Sequence, residues 1–181
     1  MTAGQEAPAT GLAGLIKTLV RDVPDYPQPG ILFKDITPLL ADADAFDQVV
    51  GALAAGHGPV GKVAGIEARG FILAAPVALR LQAGFVPVRK QGKLPAASYA
   101  QSYDLEYGTA TLEVHRDAFS PGERVLIVDD VLATGGTVEA TIGLVERAGA
   151  VVSGVSVLME LGFLDGRERL AGTDVHALLT V

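Results

Sequence analysis

Hydrophobic positions recur along the chain with two periods, one typical of helices and one typical of strands. Apolar residues at helical spacing predict helices over about residues 12–21, 42–56 and 71–81. Short apolar runs or alternating positions predict strands near residues 62–66, 85–88, 109–114, 125–128, 151–159 and 175–179, with one turn of helix at 166–170. The run at 125–128, which is closed by two acids, predicts a strand buried on both faces, as in a parallel sheet.

Residues 124–148 are the most informative stretch, because a strand, a short loop and a helix follow one another there. The loop places two glycines and two threonine hydroxyls where the helix begins. The first N–H groups of a helix have no internal partner and carry partial positive charge, so they suit an anion such as phosphate. The residues of this candidate phosphate loop are Ala133, Thr134, Gly135, Gly136 and Thr137.

Two acids, Asp129 and Asp130, stand at the carboxyl end of the same strand, where open α/β sheets bind ligands. Their charge repels a phosphate, so we expect them to accept hydrogen bonds from sugar hydroxyls or to bind Mg²⁺ directly or through water. A phosphorylated sugar would satisfy both the loop and the acids. A P-loop for ATP is excluded because the chain contains no GxxxxGK[ST].

Composition places the chain among globular proteins. Of its 181 residues, 49% are hydrophobic and 19% are charged, which predicts a single domain at residues 11–181 after a loose tail at residues 1–10. A net charge of −7 argues against a nucleic-acid or anionic-membrane surface, and no apolar stretch is long enough to span a membrane. The absence of cysteine fits a cytoplasmic protein, and His57, His115 and His176 share no metal-ligand spacing.

An apolar cluster lies within a proline-rich segment at residues 22–38. Prolines at 24, 27, 29 and 38 predict that most of the segment has no regular structure. The residues alone favour a loop that its apolar side chains anchor to the core. These side chains are Tyr26, Ile31, Leu32 and Phe33.

A cluster of cations, unusual in an acidic chain, follows the strand at residues 85–88. Arg89, Lys90 and Lys93 form either a solvated face or an anion site. The segment that continues to residue 107 lacks an apolar period, which predicts a mobile loop over about residues 91–107. Glu67 and Arg69, which follow another strand, would by themselves be a surface ion pair of little energetic value.

Five segments together resemble the adenine phosphoribosyltransferases, a branch of the type I phosphoribosyltransferase family. In chain order they are PQPGILFKDITPLL, ARGF, RKQGKLP, LEYG and VLIVDDVLATGGT. The resemblance covers about residues 12–181. It implies an α/β fold with a twisted, mostly parallel sheet flanked by helices, and a small N-terminal hood at about residues 22–38. It also implies a homodimer that converts adenine and phosphoribosyl pyrophosphate (PRPP) to AMP and pyrophosphate, a reaction of purine salvage.

The resemblance assigns roles to individual residues. Phe33 would stack on adenine, with the backbone near Leu32 reading the base edge and Lys34 close by. Glu106 would act near the reacting nitrogens of the base. Arg69 would contact the pyrophosphate of PRPP, in a loop at residues 67–69 that often contains a cis peptide. The remaining residues implied to bind PRPP or AMP are Asp129, Asp130, residues 133–137, Arg89, Lys90 and Lys93.

The expected cofactor is Mg²⁺, held mainly by PRPP and water rather than by dedicated protein ligands. Two alternatives stay open. The first is a transferase of the same class with another purine base. The second is a PRPP-sensing regulator without catalysis, which the intact basic segment, Glu106 and the net charge of −7 disfavour.

Overall fold

The structure, a computed structural model, describes residues 11–104 and 108–181. The chain divides into two units, one that ends at Val49 and one formed by Val50–Val181. The predicted tail at residues 1–10 and the predicted catalytic residue Glu106 lie outside the described residues. The prediction of a single domain stays a prediction.

The N-terminal unit contains short elements around a few buried aliphatic side chains. Its elements are helix α1 (Leu12–Leu19), strands β1 (Arg21–Pro24) and β2 (Leu32–Asp35), helix α2 (Thr37–Ala41) and the first part of helix α3 (Ala43–Ala54). Ile16, Ile36 and Leu39 are almost completely buried. Asp42 Oδ1 accepts the backbone N–H of Ala45 at 2.9 Å, which satisfies one free donor where α3 begins.

The prediction that prolines prevent regular structure over most of residues 22–38 is wrong for the hairpin of β1 and β2. The two strands pair antiparallel, with Asp22 opposite Lys34 and Val23 opposite Phe33. Pro27 lies in the turn and Pro24 ends β1, so neither removes a hydrogen bond from the middle of the ladder. The backbone N–H of Tyr26 donates to the carbonyl of Ile31 at 3.3 Å across that turn.

The C-terminal unit is built on a seven-stranded sheet with the order β5-β6-β4-β3-β7-β8-β9. The adjacent strands β4, β3, β7, β8 and β9 are parallel to one another. Strand β6 pairs antiparallel with β4, and β5 pairs antiparallel with β6. The predicted α/β fold, with a mostly parallel sheet flanked by helices, is confirmed. The strands are β3 (Lys62–Ile66), β4 (Gly84–Lys90), β5 (Ser98–Asp104), β6 (Thr109–His115), β7 (Arg124–Leu132), β8 (Val151–Glu160) and β9 (Val175–Thr180), and the helices are α4 (Arg69–Arg80), α5 (Gly136–Arg147) and α6 (Gly166–Arg169), preceded by a 3-10 turn (Gly162–Leu164).

Strand β7 lies at the centre of this unit, which explains its apolar run. Val125, Leu126, Ile127 and Val128 are fully buried because β3 and β8 flank the strand and helices cover the sheet. Since β3, β4 and β7 run in parallel, their carboxyl ends meet at one edge of the sheet. The loops after these three strands carry most of the residues predicted to bind PRPP.

Part of the predicted mobile loop is a strand. Residues 98–104 form β5, which pairs along its whole length with β6, from Ser98 opposite His115 to Asp104 opposite Thr109. Arg147 of α5 donates to the carbonyl of Ala100 at 3.1 Å and so holds β5 against that helix. Among the described residues, none of the helices is long and apolar enough to cross a membrane.

Candidate active site

The predicted phosphate loop forms a tight turn between β7 and α5. Gly135 caps α5 with φ +82°, a left-handed conformation that glycine adopts without steric cost. A Cβ atom at Gly135 would lie 2.5 Å from the carbonyl oxygen of Gly166, so the position has no room for a side chain. A cavity of about 50 Å³ at this turn is lined by residues 131–135, Thr137 and Val138. The loop therefore offers backbone N–H groups of a helix start beside a small, partly open cavity.

Asp129 and Asp130 lie beside each other at the end of β7 and are both buried. Asp129 Oδ1 accepts the backbone N–H of Asp130 at 2.9 Å. Burial raises the pKa of Asp129 well above its ordinary value, and the neighbouring charge of Asp130 raises it further. Burial also raises the pKa of Asp130, although Arg69 opposes that rise. Two desolvated carboxylates this close gain from any ligand that donates hydrogen bonds to them.

Arg69 begins α4 and reaches across to β7. Its Nη2 atom lies 2.8 Å from Oδ2 of Asp130, within ion-pair distance. That Oδ2 accepts no hydrogen bond with good geometry from the described part of the chain, so the contact is electrostatic. The expected cis peptide in this loop is confirmed between Glu67 and Ala68.

Glu67 organises the basic segment. Its carboxylate accepts Lys93 Nζ at 2.5 Å, Arg89 Nε at 3.2 Å and the backbone N–H of Lys90 at 3.0 Å. Arg89 also donates to the carbonyl of Lys93 at 3.1 Å. Burial by itself would raise the pKa of Glu67, but the hydrogen bonds from Lys93, Lys90 and Arg89 outweigh it and lower the pKa below its ordinary value.

The interpretation of Glu67 and Arg69 as a surface ion pair with each other is wrong about their main contacts. Glu67 pairs with Arg89 and Lys93, and Arg69 pairs with Asp130. Sequence reasoning did not assign Glu67 a role in the site. The available signal was its position at the end of β3, next to the strand that carries the cations.

The residues predicted to bind the base lie on β2 in the N-terminal unit. Lys34 Nζ lies 2.6 Å from Asp22 Oδ1 across the hairpin. The rings of Tyr26 and Phe33 meet edge to face with centroids 5.1 Å apart. Tyr26, Ile31 and Leu32 are 54%, 37% and 51% exposed, so the alternative that these side chains anchor the loop to the core is wrong for them.

Two of the histidines lie beside each other. His57 is buried, with its ring centroid 6.1 Å from that of His176. Burial lowers the pKa of His57, and the neighbouring His176 lowers it further. Within residues 11–104 and 108–181, no group of three histidine or acidic side chains is arranged to hold a metal ion.

Comparison with known proteins identifies the family. Residues 43–172 match the family described as phosphoribosyl transferase domain. A relative from Nocardioides sp. named adenine phosphoribosyltransferase is 64% identical in an alignment of 184 positions that covers 98% of each chain. The chain belongs to the phosphoribosyl transferase family. The resemblance drawn from the sequence motifs is thereby confirmed.

Solved structures of family members share the fold. Adenine phosphoribosyltransferase from Rhodothermus marinus is 54% identical with a TM-score of 0.90, and the match covers 94% of this chain and 98% of that one. The enzyme of the same name from Saccharomyces cerevisiae was crystallised with an imino-altritol bisphosphate and adenine. It is 36% identical with a TM-score of 0.88, and the match covers 93% of this chain and 98% of that one.

Proposed function

We propose that the protein transfers the phosphoribosyl group of PRPP to adenine, forming AMP and pyrophosphate in purine salvage. The main support is that three groups lie at one edge of the sheet. They are the start of α5, the paired acids of β7 and the cations held by Glu67. A glycosyl pyrophosphate has a phosphate, hydroxyls and a leaving pyrophosphate that match these three groups. Relatives named adenine phosphoribosyltransferase support adenine as the acceptor.

The two halves of PRPP would be held by different loops. Residues 133–137 bind the 5′-phosphate through backbone N–H groups and threonine hydroxyls. Asp129 and Asp130 accept hydrogen bonds from the ribose hydroxyls, which relieves their mutual repulsion. Arg69, Arg89, Lys90 and Lys93 neutralise the charge that develops on the departing pyrophosphate.

Mg²⁺ is the proposed cofactor. Carboxylate oxygens such as those of Asp129 and Asp130 suit this ion, directly or through water, and no larger protein ligand set lies among the described residues. As the family resemblance implies, the ion would be held mainly by PRPP and water. When bound, it supplies positive charge that favours cleavage of the bond to pyrophosphate.

The base would be placed by β2 and by a residue outside the described ranges. Phe33 stacks on adenine, the backbone beside Leu32 reads its edge, and Lys34 lies near the base. Adenine presents an amino donor and a ring acceptor where hypoxanthine presents a carbonyl and an N–H, so one set of backbone groups matches only the first. Glu106 is proposed to orient the base or take its proton.

The reaction also needs protection from water. The segment at residues 91–107 closes over the substrates and excludes water, which would otherwise capture the sugar. The protein is proposed to act as a cytoplasmic homodimer without nucleic-acid or membrane partners, consistent with its charge of −7.

A direct assay tests the proposal. The purified protein is supplied with PRPP, Mg²⁺ and either adenine, hypoxanthine, guanine or xanthine, and nucleotide and pyrophosphate are quantified together. We expect AMP and pyrophosphate in equal amounts from adenine, with little or no product from the 6-oxo purines. Binding of PRPP without any nucleotide would instead indicate the regulator, and similar kcat/KM for adenine and hypoxanthine would overturn the assignment of the base.

A further inference from the structure

The start of α6 interlocks with the phosphate loop through backbone atoms. The carbonyl of Gly166 occupies the space that a side chain at Gly135 would need. Conversely, a Cβ atom at Gly166 would collide with the carbonyl of Ala133 and would lie 3.0 Å from the backbone nitrogen of Gly135. Because both contact surfaces are backbone, neither segment can shift without displacing the other.

An ion pair between a buried carboxylate and a half-exposed guanidinium fixes the position of α6. Arg167 donates to both carboxylate oxygens of Glu160, with Nε 3.0 Å from Oε1 and Nη2 2.6 Å from Oε2. Its Nη1 donates to the carbonyl of Val175 at 2.7 Å. The carboxylate of Glu160 is almost completely buried, and its hydrogen bond to Arg167 raises the pKa of the arginine. A bidentate pair fixes orientation as well as distance.

The ion pair of Glu160 and Arg167 is connected to the end of β7, the strand that leads into the phosphate loop. Glu160 is the last residue of β8, and the next backbone N–H, that of Leu161, donates to the carbonyl of Leu132 at 2.9 Å. Leu132 ends β7 immediately before the phosphate loop. Arg167 therefore ties together the end of β8, the start of β9 and α6, next to the loop that α6 contacts.

The far end of α6 touches the first turn of α5. Arg169 Nε lies 3.3 Å from Glu139 Oε2, and Arg169 Nη1 would be 3.1 Å from a Cβ atom at Gly136. Arg169 does not line the small cavity of the phosphate loop, whose lining comes from residues 131–135, Thr137 and Val138. Its contacts are with Gly136 and Glu139 of α5, so α6 supports the loop rather than the ligand.

We propose that Glu160 and Arg167 are positioning residues for PRPP, because their ion pair holds Gly166 against the phosphate loop and so fixes where its N–H groups point. This inference rests on the proposed function. Neither residue touches substrate. Their effect should fall on recognition of the 5′-phosphate and not on the base, whose proposed contacts come from β2.

The test uses single and double variants of the full chain. Arg167→Gln breaks the pair and leaves the charge of Glu160 buried, so it should cost stability as well as alignment. The double variant Glu160→Gln with Arg167→Gln removes both charges and should recover much of that stability while the bidentate anchor stays lost. Arg124→Gln is the matched control, since Arg124 also donates to a backbone carbonyl, that of Pro59 at 2.9 Å, but at the opposite end of β7.

For each variant, Tm, kcat and the KM values for PRPP and adenine are measured, and the Kd for PRPP is measured by calorimetry. We expect the KM and Kd for PRPP to rise about tenfold or more in both the single and the double variant, with the KM for adenine unchanged. Arg167→Lys, which keeps charge without the planar fork, should give an intermediate value. Arg124→Gln should leave both constants unchanged.

Three outcomes would overturn the inference. The first is an unchanged PRPP Kd in the double variant, whatever its Tm. The second is an equal rise in the KM for PRPP and for adenine, which would indicate general damage. The third is loss of the fold in both the single and the double variant, which would make the pair a stability element only. A wild type that forms no AMP refutes the proposed function instead, and the PRPP Kd values still decide the inference.

Discussion

Gly70 lies so close to Asp129 that a Cβ atom at position 70 would be 2.7 Å from Asp129 Oδ1 and 3.0 Å from the carbonyl oxygen of Val128. The first turn of α4 is therefore packed directly on the acid that is proposed to hold the ribose. The absence of a side chain at Gly70 is what allows Arg69, its neighbour, to reach Asp130.

Substitution of Gly70 by alanine should separate function from stability. Alanine favours a helix over glycine by about 1 kcal/mol, which offsets part of the cost of the contact. The displaced carboxylate should nevertheless raise the KM for PRPP by about 100-fold, because misplacement of about 1 Å is that costly. Steady-state kinetics and thermal unfolding measure both effects. The control is Gly143→Ala in α5, where the nearest atom would be 3.9 Å away. A normal KM in Gly70→Ala would contradict the proposed role of Asp129.

Gly136→Val tests the phosphate loop itself. A Cβ atom there would lie 3.1 Å from Arg169 and 3.3 Å from Tyr103, and a branched side chain needs more room still. We expect PRPP binding to be lost in calorimetry, while circular dichroism shows a folded protein. Gly143→Val, in the same helix, should bind PRPP normally. Wild-type PRPP affinity in Gly136→Val would refute the assignment of the loop.

Asp129→Asn should stabilise the protein and weaken PRPP binding. Because the pKa of Asp129 is raised in the folded state, the folded protein binds more protons than the unfolded chain just above the ordinary pKa of aspartate. The free energy of unfolding of the wild type should therefore fall as the pH rises from about 4 through that raised pKa. The asparagine should remove this fall and still accept the N–H of Asp130.

The measurement is denaturant unfolding from about pH 4, near the ordinary pKa of aspartate, to about pH 8. Affinity for PRPP should drop about tenfold or more, since a hydrogen bond to a charged group is worth about 1.5–3 kcal/mol. Asp117→Asn is a surface control. If the free energy of unfolding depends on pH in the same way for Asp129→Asn and the wild type, the pKa of Asp129 is not raised by burial.

Glu67→Gln should disorganise the basic segment. The lowered pKa of Glu67 means that its ion pairs stabilise the fold above the ordinary pKa of glutamate, and that this contribution is lost as the pH falls through the lowered value. The glutamine should flatten that acid limb of the stability profile. With Lys93 and Arg89 no longer fixed, kcat/KM for PRPP should fall about tenfold while the KM for adenine changes little.

A matched control is Glu113→Gln, because Glu113 accepts the N–H of Gly92 at 2.9 Å in the same segment but pairs with neither cation. Unchanged kcat/KM in Glu67→Gln would mean that the cations act independently of Glu67.

Phe33→Ala tests the base site. Loss of stacking on a nucleobase costs about 1–3 kcal/mol, so the KM for adenine should rise about tenfold or more. The Kd for PRPP should stay close to that of the wild type. Phe163→Ala, which removes another partly exposed ring, serves as the control. A PRPP Kd that rises as much as the adenine KM would indicate that Phe33 supports the fold instead.

The sequence was most informative where local chemistry alone determines the structure. The buried strand at Val125 to Val128, the glycines of the phosphate loop and the acids between them are determined by residues adjacent in the chain. Strand β5 was missed because SYAQSYD contains no aliphatic side chain larger than alanine, so it shows no apolar pattern. Its pairing depends on β6, which no local pattern reports.

Contacts between loops were also beyond local reasoning. Glu67 was compared with Arg69, its neighbour in sequence, whereas the register of β3 and β4 brings Arg89 and Lys93 to it. In the sequence, Gly166 has the appearance of an ordinary turn glycine. Only the structure shows that its carbonyl packs against Gly135. For the hairpin of β1 and β2, the prolines predicted a lack of regular structure. Their places, at a strand end and in the turn, leave the pairing of the two strands intact.

The parallel register of β3 with β7 has a kinetic consequence. Lys62 lies opposite Val125, so the two loops that flank the proposed PRPP site meet only after a long chain closure. A fragment or an early intermediate would hold either Arg69 or Asp130 in place, but not the pair. We therefore expect PRPP to act on the lifetime of the native state, slowing unfolding, and to leave the rate of folding almost unchanged.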